Sequence, residues 1–250
     1  MLGKLLKHEF GYSARIFLPM YIIVLVLCFM LKLFKVADDY MYDNTFTSLF
    51  AVYITLFIGM GIAALNIYAI FGNLTRFRKN LFSDQGYLMH TLPVTVHENI
   101  LCKLIVGVIY YIATRLITSL CTYILSGEST WWFSLSYLFG AYSSEKGADY
   151  YINIILGYCS SVAIYCAFVL MGYLCISIGS MTNGKRSKEF LIAIPLLFCN
   201  SMVHSLIQSI TGFSVYSNQT YILNIIYYLL IGVGLYFITH EIIKNHLNLP

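Results

Sequence analysis

The sequence predicts an all-α, polytopic membrane protein, and three observations carry that prediction. Six apolar stretches, at 16–33, 46–71, 100–125, 151–179, 190–210 and 221–240, occupy most of the 250 residues. A helix rises about 1.5 Å per residue, so roughly 20 apolar residues cross a hydrocarbon core about 30 Å thick. Each stretch is about that long or longer. Charged residues make up only 10% of the chain, against about 25% in ordinary soluble domains. Lys and Arg also gather in alternate connections, the pattern of a chain that threads a bilayer repeatedly. These features predict a single transmembrane domain over residues 1–250. Neither of the longest polar interruptions, 72–99 and 126–150, is large enough to bury a core of its own.

Taken in order, residues 1–14 read as an N-terminal interfacial helix. Leu2, Leu5, Leu6 and Phe10 recur at helical spacing, with Lys4, Lys7 and His8 on another side. The basic start resembles that of a signal peptide. The apolar run after it is too long, and no small-residue cleavage site follows, so a retained helix is expected. Pro19 falls in the first turn of span 1, where its missing N–H costs least. At the other end, Lys32 can snorkel to the interface. The first outer connection is short and acidic.

Span 2 carries the small-residue pair Gly59/Ala63, and span 4 carries Gly157/Ser161 and Ala163/Ala167. Pairs of this kind let helices approach closely in lipid. Between spans 3 and 4, Trp131, Trp132, Phe133, Tyr137, Phe139 and Tyr142 predict an interfacial or re-entrant segment at headgroup level. Span 4 is long enough to tilt or to extend beyond the bilayer. All seven cysteines lie in predicted spans without a CxxC pair, which reads as apolar packing.

Charge sets the expected orientation. Lys4, Lys7, Arg15, Arg76, Arg78, Lys79, Lys103, Lys185, Arg186, Lys188 and Lys244 fall on one side, 11 of the 15 basic residues. Asp38, Asp39, Asp43, Glu128, Glu145 and Asp149 fall on the other. The positive-inside rule then predicts cytoplasmic termini in the cell membrane. The net charge of +4 reflects topology and contact with membrane lipid, and no nucleic-acid partner is expected.

The connection between spans 2 and 3 is the most informative polar stretch. Leu74, Phe77 and Leu81 recur at helical spacing beside Arg76, Arg78 and Lys79, which predicts an extension of span 2 or a short amphipathic helix. A turn signal follows at Ser83-Asp84-Gln85-Gly86, then the apolar Tyr87-Leu88-Met89, then a break at Leu92-Pro93. Thr95 and Glu98 match a capping box directly before span 3.

Here the chain resembles small six-span ABC-2-type permeases, the membrane subunits of ATP-binding-cassette exporters, found mainly in Gram-positive bacteria. The resemblance rests on Leu2…Leu5…Lys7-His8-Glu9-Phe10 and on Asp84-Gln85-Gly86-Tyr87-Leu88…Thr91-Leu92-Pro93-Val94. In those permeases the loop reads Asp-Glu-Gly-Tyr-Leu…Thr-Leu-Pro, so Gln85 departs from their usual Glu. The resemblance implies a cytoplasmic coupling helix between spans 2 and 3 that docks on a separate ABC ATPase. Arg76, Phe77, Arg78, Asp84, Gly86, Tyr87, Leu88, Thr91, Leu92 and Pro93 are the docking residues it implies. It also implies a second permease subunit, as homo- or heterodimer, with ATP and Mg bound by the ATPase and no cofactor or metal on this chain.

Other candidate chemistry is sparse. Residues 179–186 nearly spell a P-loop, but Arg186 stands where Ser or Thr must supply a magnesium ligand, and a membrane span precedes the glycine instead of a strand. No ATPase is expected on this chain. Arg115 is the one charge deep in a span, about 22 Å along span 3. It shares a face with Thr118, Ser119 and Thr122, which reads as a candidate wall of a substrate path. The alternative reading of Arg115 is a structural ion pair with Glu128 or Asp149, or snorkelling. His204, in span 5, reads as a satisfied packing histidine. No residue pattern points to a catalytic set. The alternatives to an exporter subunit are an ATP-independent secondary transporter or a membrane scaffold, although the span centres hold no acidic residue for ion coupling.

Overall fold

The computed structural model describes residues 2–40, 45–82, 95–126, 148–181, 186–211 and 218–246. Among these every element but Thr95 is helical: α1 (Leu2–Tyr40), α2 (Thr45–Phe82), α3 (Val96–Ser126), α4 (Ala148–Met181), α5 (Arg186–Thr211) and α6 (Asn218–His246). All six are long and apolar enough to cross a membrane. The protein is thus a multi-pass membrane protein, all-helical among the described residues bar Thr95.

Each helix exceeds the apolar stretch that predicted it, because polar residues at its ends continue the backbone pattern. The largest difference is at the N-terminus. The expected interfacial helix is not a separate element: its residues are the first turns of α1, which runs unbroken through Pro19. Pro19 therefore lies inside a helix, not in a first turn, and leaves the Arg15 carbonyl without its usual i+4 donor. The reason for the continuity lies in the buried face. Glu9, Ser13, Phe17, Tyr21, Val24, Cys28 and Leu31 recur every three or four residues and are all buried. One stripe thus packs α1 from Glu9 to Leu31, and it passes through Glu9 and Ser13, while Phe10 is exposed. At the other end of span 2, α2 continues to Phe82, the expected extension.

The first three helices form one group. α3 runs parallel to α1, with Glu9 beside Lys103, Tyr21 beside Thr114 and Cys28 beside Cys121. α2 runs antiparallel between them, with Tyr68 against Phe17 and Asn80 against Glu9. Their shared core includes Phe17, Tyr21, Ile58, Leu65, Val106 and Tyr110.

α4 is the axis of the second group and packs most extensively on α6. Large side chains supply much of this contact, with Leu170 and Ile176 in one core with Leu235 and Ile243 of α6, and a small pair of span 4 adds to it. Gly157, Ser161, Ala163 and Ala167 are all buried, and Ala163 and Ala167 form a cluster with Tyr228 of α6. By contrast Gly59 and Ala63 of α2 lie exposed and bring no helices of this chain together. α5 packs at the periphery, where His204 meets Asn224 Oδ1 at 2.9 Å and sits against the rings of Tyr227 and Tyr228. It is the satisfied histidine its sequence context predicted. All seven cysteines are free; Cys28, Cys102, Cys121 and Cys175 are buried as expected, while Cys159 and Cys199 are exposed.

Candidate functional site

The connection that carries the implied docking motif leaves α2 and enters α3, so the site is built from the ends of those helices. Thr95 and Glu98 form the predicted capping box. The Glu98 N–H donates to Thr95 Oγ1 at 3.3 Å, and the Thr95 N–H donates to Glu98 Oε2 at 3.2 Å. Two N–H groups at the helix start are thereby satisfied, and α3 begins at Val96. Asp84, Gly86, Tyr87, Leu88, Thr91, Leu92 and Pro93 lie outside the described residues.

The remaining docking candidates lie on the last turns of α2. Arg76 is half-buried: its Nε donates to the Gly72 carbonyl at 3.2 Å, its Nη1 to Ser13 Oγ of α1, and its guanidinium sits 5.8 Å from the Tyr12 ring centroid. Phe77 is fully buried and stacks on Tyr173 of α4, with centroids 3.8 Å apart. Its ring fixes the end of α2 on α4 and presents no surface to an outside partner. Arg78 is half-exposed.

Sequence reasoning missed the group that ties these ends together. Glu9 of α1 accepts Lys103 Nζ of α3 at 2.7 Å and Asn80 Nδ2 of α2 at 2.9 Å, both on Oε1. Ser13 Oγ donates to the Glu9 carbonyl at 2.9 Å and receives Arg76. Lys103 is only 2% exposed and Glu9 8%. Lys103 therefore does not act as a surface charge that marks topology; it is a buried ion-pair partner. Burying two charges is costly, and removing one partner alone leaves the other uncompensated. The joint thus holds one end of α1, α2 and α3 in a fixed relation. A period of three to four from Glu9 to Phe17 was its only sequence signal, and nothing local links residues 9 and 103.

A second polar seam connects this group to α4. Tyr173 OH donates to Asn73 Oδ1 at 3.0 Å, Asn73 Nδ2 donates to Tyr165 OH at 3.5 Å, and Tyr165 OH donates to the Ala69 carbonyl at 3.0 Å. Gly107 of α3 makes room for it: a Cβ there would collide with the Asn73 amide and press on Tyr165 OH. Gly172 of α4 likewise admits the Leu74 side chain.

The candidate substrate wall lies further along α3. Thr118 and Ser119 are buried and face the bundle, as expected of that stripe. Thr118 Oγ1 donates to the Thr114 carbonyl at 2.8 Å and Ser119 Oγ to the Leu116 carbonyl at 2.7 Å. Arg115 is half-buried, 5.8 Å from the centroid of the Tyr111 ring. The side chain of Thr122 lies outside the described residues. In the P-loop-like run, Gly179 falls within α4 and Arg186 opens α5. The intervening residues 182–185 lie outside the described residues. Compared with models of known families, with curated proteins and with solved structures, the chain matches none.

Proposed function

We propose that the chain is the transmembrane subunit of an ABC exporter, which moves its substrate across the cell membrane by alternating access. The observation that carries the reading is Asp84-Gln85-Gly86-Tyr87-Leu88…Thr91-Leu92-Pro93, which resembles the ATPase-docking loop of ABC-2-type permeases. Its setting supports it. The stretch connects α2 to the capping box of α3, and both helix ends belong to the Glu9–Lys103–Asn80 joint. A push on residues 83–94 would reach three helices together. In this reading the segment forms a coupling helix, the ATPase is a separate subunit that binds ATP and Mg, and a second permease subunit completes the translocation path. The distribution of Lys and Arg supports cytoplasmic termini, which puts the loop on the side where ATP is available.

Purification of the tagged chain from native membranes tests the reading. A soluble ATPase should accompany the wild-type chain. Buried anchors in an interface contribute roughly 2 kcal/mol or more each, so Tyr87→Ala and Leu88→Ala should each weaken association by about tenfold or more, with membrane yield unchanged. Unchanged association in the double variant would refute the docking role of this loop. ATP hydrolysis by the isolated chain, abolished by Lys185→Ala, would refute the division of labour.

A further inference from the structure

On the face of α1 opposite the Glu9 joint, Lys4, Lys7, His8, Gly11, Tyr12 and Arg15 line a notch of about 350 Å³. All six residues are exposed. Gly11 lies at its centre, and a Cβ there would meet nothing within 4 Å, so the surface above Gly11 is open. Lys7 and Arg15 lie one helical turn to either side of Gly11, and Lys4, His8 and Tyr12 make the neighbouring row. The acid nearest in sequence, Glu9, points the other way and is held by Lys103 and Asn80. No described carboxylate pairs with Lys4, Lys7 or Arg15. Among the described residues, the notch thus gathers three basic side chains with no carboxylate partner.

The same face continues down the helix as lipid-like surface. At helical spacing below Arg15 come Leu18, Ile22, Val26, Phe29 and Leu33, each more than half exposed. From Gly11 to Leu18 is about 10 Å of rise, and from Leu18 to Leu33 about 23 Å. The apolar stripe thus fits within a hydrocarbon core about 30 Å thick, with Arg15 and Gly11 at the depth of the headgroups. Exposed Tyr12 provides an amphipathic ring at that level. A cationic notch followed on one face by an apolar track matches a molecule with an anionic head and a hydrocarbon tail. A free phosphate would use the notch and have no need of the track.

We infer that this face of α1 is a binding site for an anionic phospholipid, its phosphate in the Gly11 notch between Lys7 and Arg15 and its acyl chain along Leu18, Ile22 and Val26. The site belongs to this chain alone and does not depend on the transport reading.

Native mass spectrometry of the purified chain, titrated with phosphatidylglycerol or with phosphatidylcholine, tests it. The wild-type chain should retain phosphatidylglycerol preferentially, and excess glycerol 3-phosphate should not displace it. Each basic residue near an anionic headgroup is worth about fivefold in affinity, so Lys4→Gln/Lys7→Gln/Arg15→Gln should lower phosphatidylglycerol affinity on the order of a hundredfold. Gly11→Leu keeps the charges but fills the notch, and should cost about tenfold. Lys32→Gln, at the far end of the helix, should cost nothing. All these positions are exposed, so folding should be unaffected, and a thermal melt checks this. Unchanged retention in the triple variant would overturn the site. Unchanged retention in Gly11→Leu would reduce it to diffuse charge, and displacement by glycerol 3-phosphate would make the ligand a soluble phosphate; either result overturns the proposal.

Discussion

The two halves of the bundle are held together by different chemistry. In α1–α3 the ends meet through a buried ion pair and its hydrogen bonds, Glu9 with Lys103 and Asn80, while rings fill the middle. In α4–α6 the contact is apolar: Ala163 and Ala167 of α4 cluster with Tyr228, and Val169, Leu170 and Ile176 share a core with Ile243, Leu235 and Tyr236 of α6. Hydropathy does not foretell this division. α2 and α4 are about equally apolar, yet α4 is mostly buried and α2 mostly exposed. In lipid an apolar face gains little by being covered, so hydrophobicity does not decide which helix becomes the axis. Charge follows the opposite rule: a charge among the spans must find a partner, wherever in the chain that partner lies.

Four substitutions test this contrast, in falling order of effect. Glu9→Ala strands Lys103 in a buried place and should destabilise the protein by about 3 kcal/mol in detergent-titrated unfolding. Glu9→Leu/Lys103→Met should recover much of that loss, and failure to recover would mean that packing, not charge, closes the first group. Gly107→Ala forces the Asn73 amide away from Tyr165 and should cost about 2 kcal/mol, since overpacking of a filled site typically costs this much. If its unfolding midpoint matched the wild type, the seam between the halves would be looser than its geometry. Tyr173→Phe removes one buried hydrogen bond to Asn73 and keeps the stack on Phe77. A loss of about 1 kcal/mol is expected, and the difference between this variant and Tyr173→Ala isolates the hydroxyl from the ring. Leu206→Ala, on the exposed side of α5, should fall within about 0.5 kcal/mol of wild type. A larger loss in the isolated chain would show that α5 has a packing role its exposure does not suggest.

The same contrast explains what could be read in advance. The start of α3 was legible, because a capping box is a local pattern: Thr95 and Glu98 lie three residues apart and bond each other directly. The extension of α2 to Phe82 followed from the spacing of Leu74, Phe77 and Leu81. The N-terminal residues read as a separate helix because their basic face is conspicuous, while the face that packs them into α1 carries a carboxylate. Lys103 reads from the sequence as a topological charge because its partner is 94 residues away.

From the sequence alone came six membrane-spanning helices, the start of α3 and the basic end of the bundle. These depend on local quantities: apolar length against bilayer thickness, capping within one turn, and the count of Lys and Arg between spans. Only the tertiary structure decided that α1 continues unbroken from its basic turns, that Glu9 and Lys103 close α1 onto α3, and that α4 is the axis. Lipid tails are as apolar as leucine, so periodicity in a membrane helix carries weak information about which face turns inward. The inward face is chosen by which side chains find partners, Glu9 with Lys103 and Phe77 with Tyr173, and those partners are set by how the helices pack.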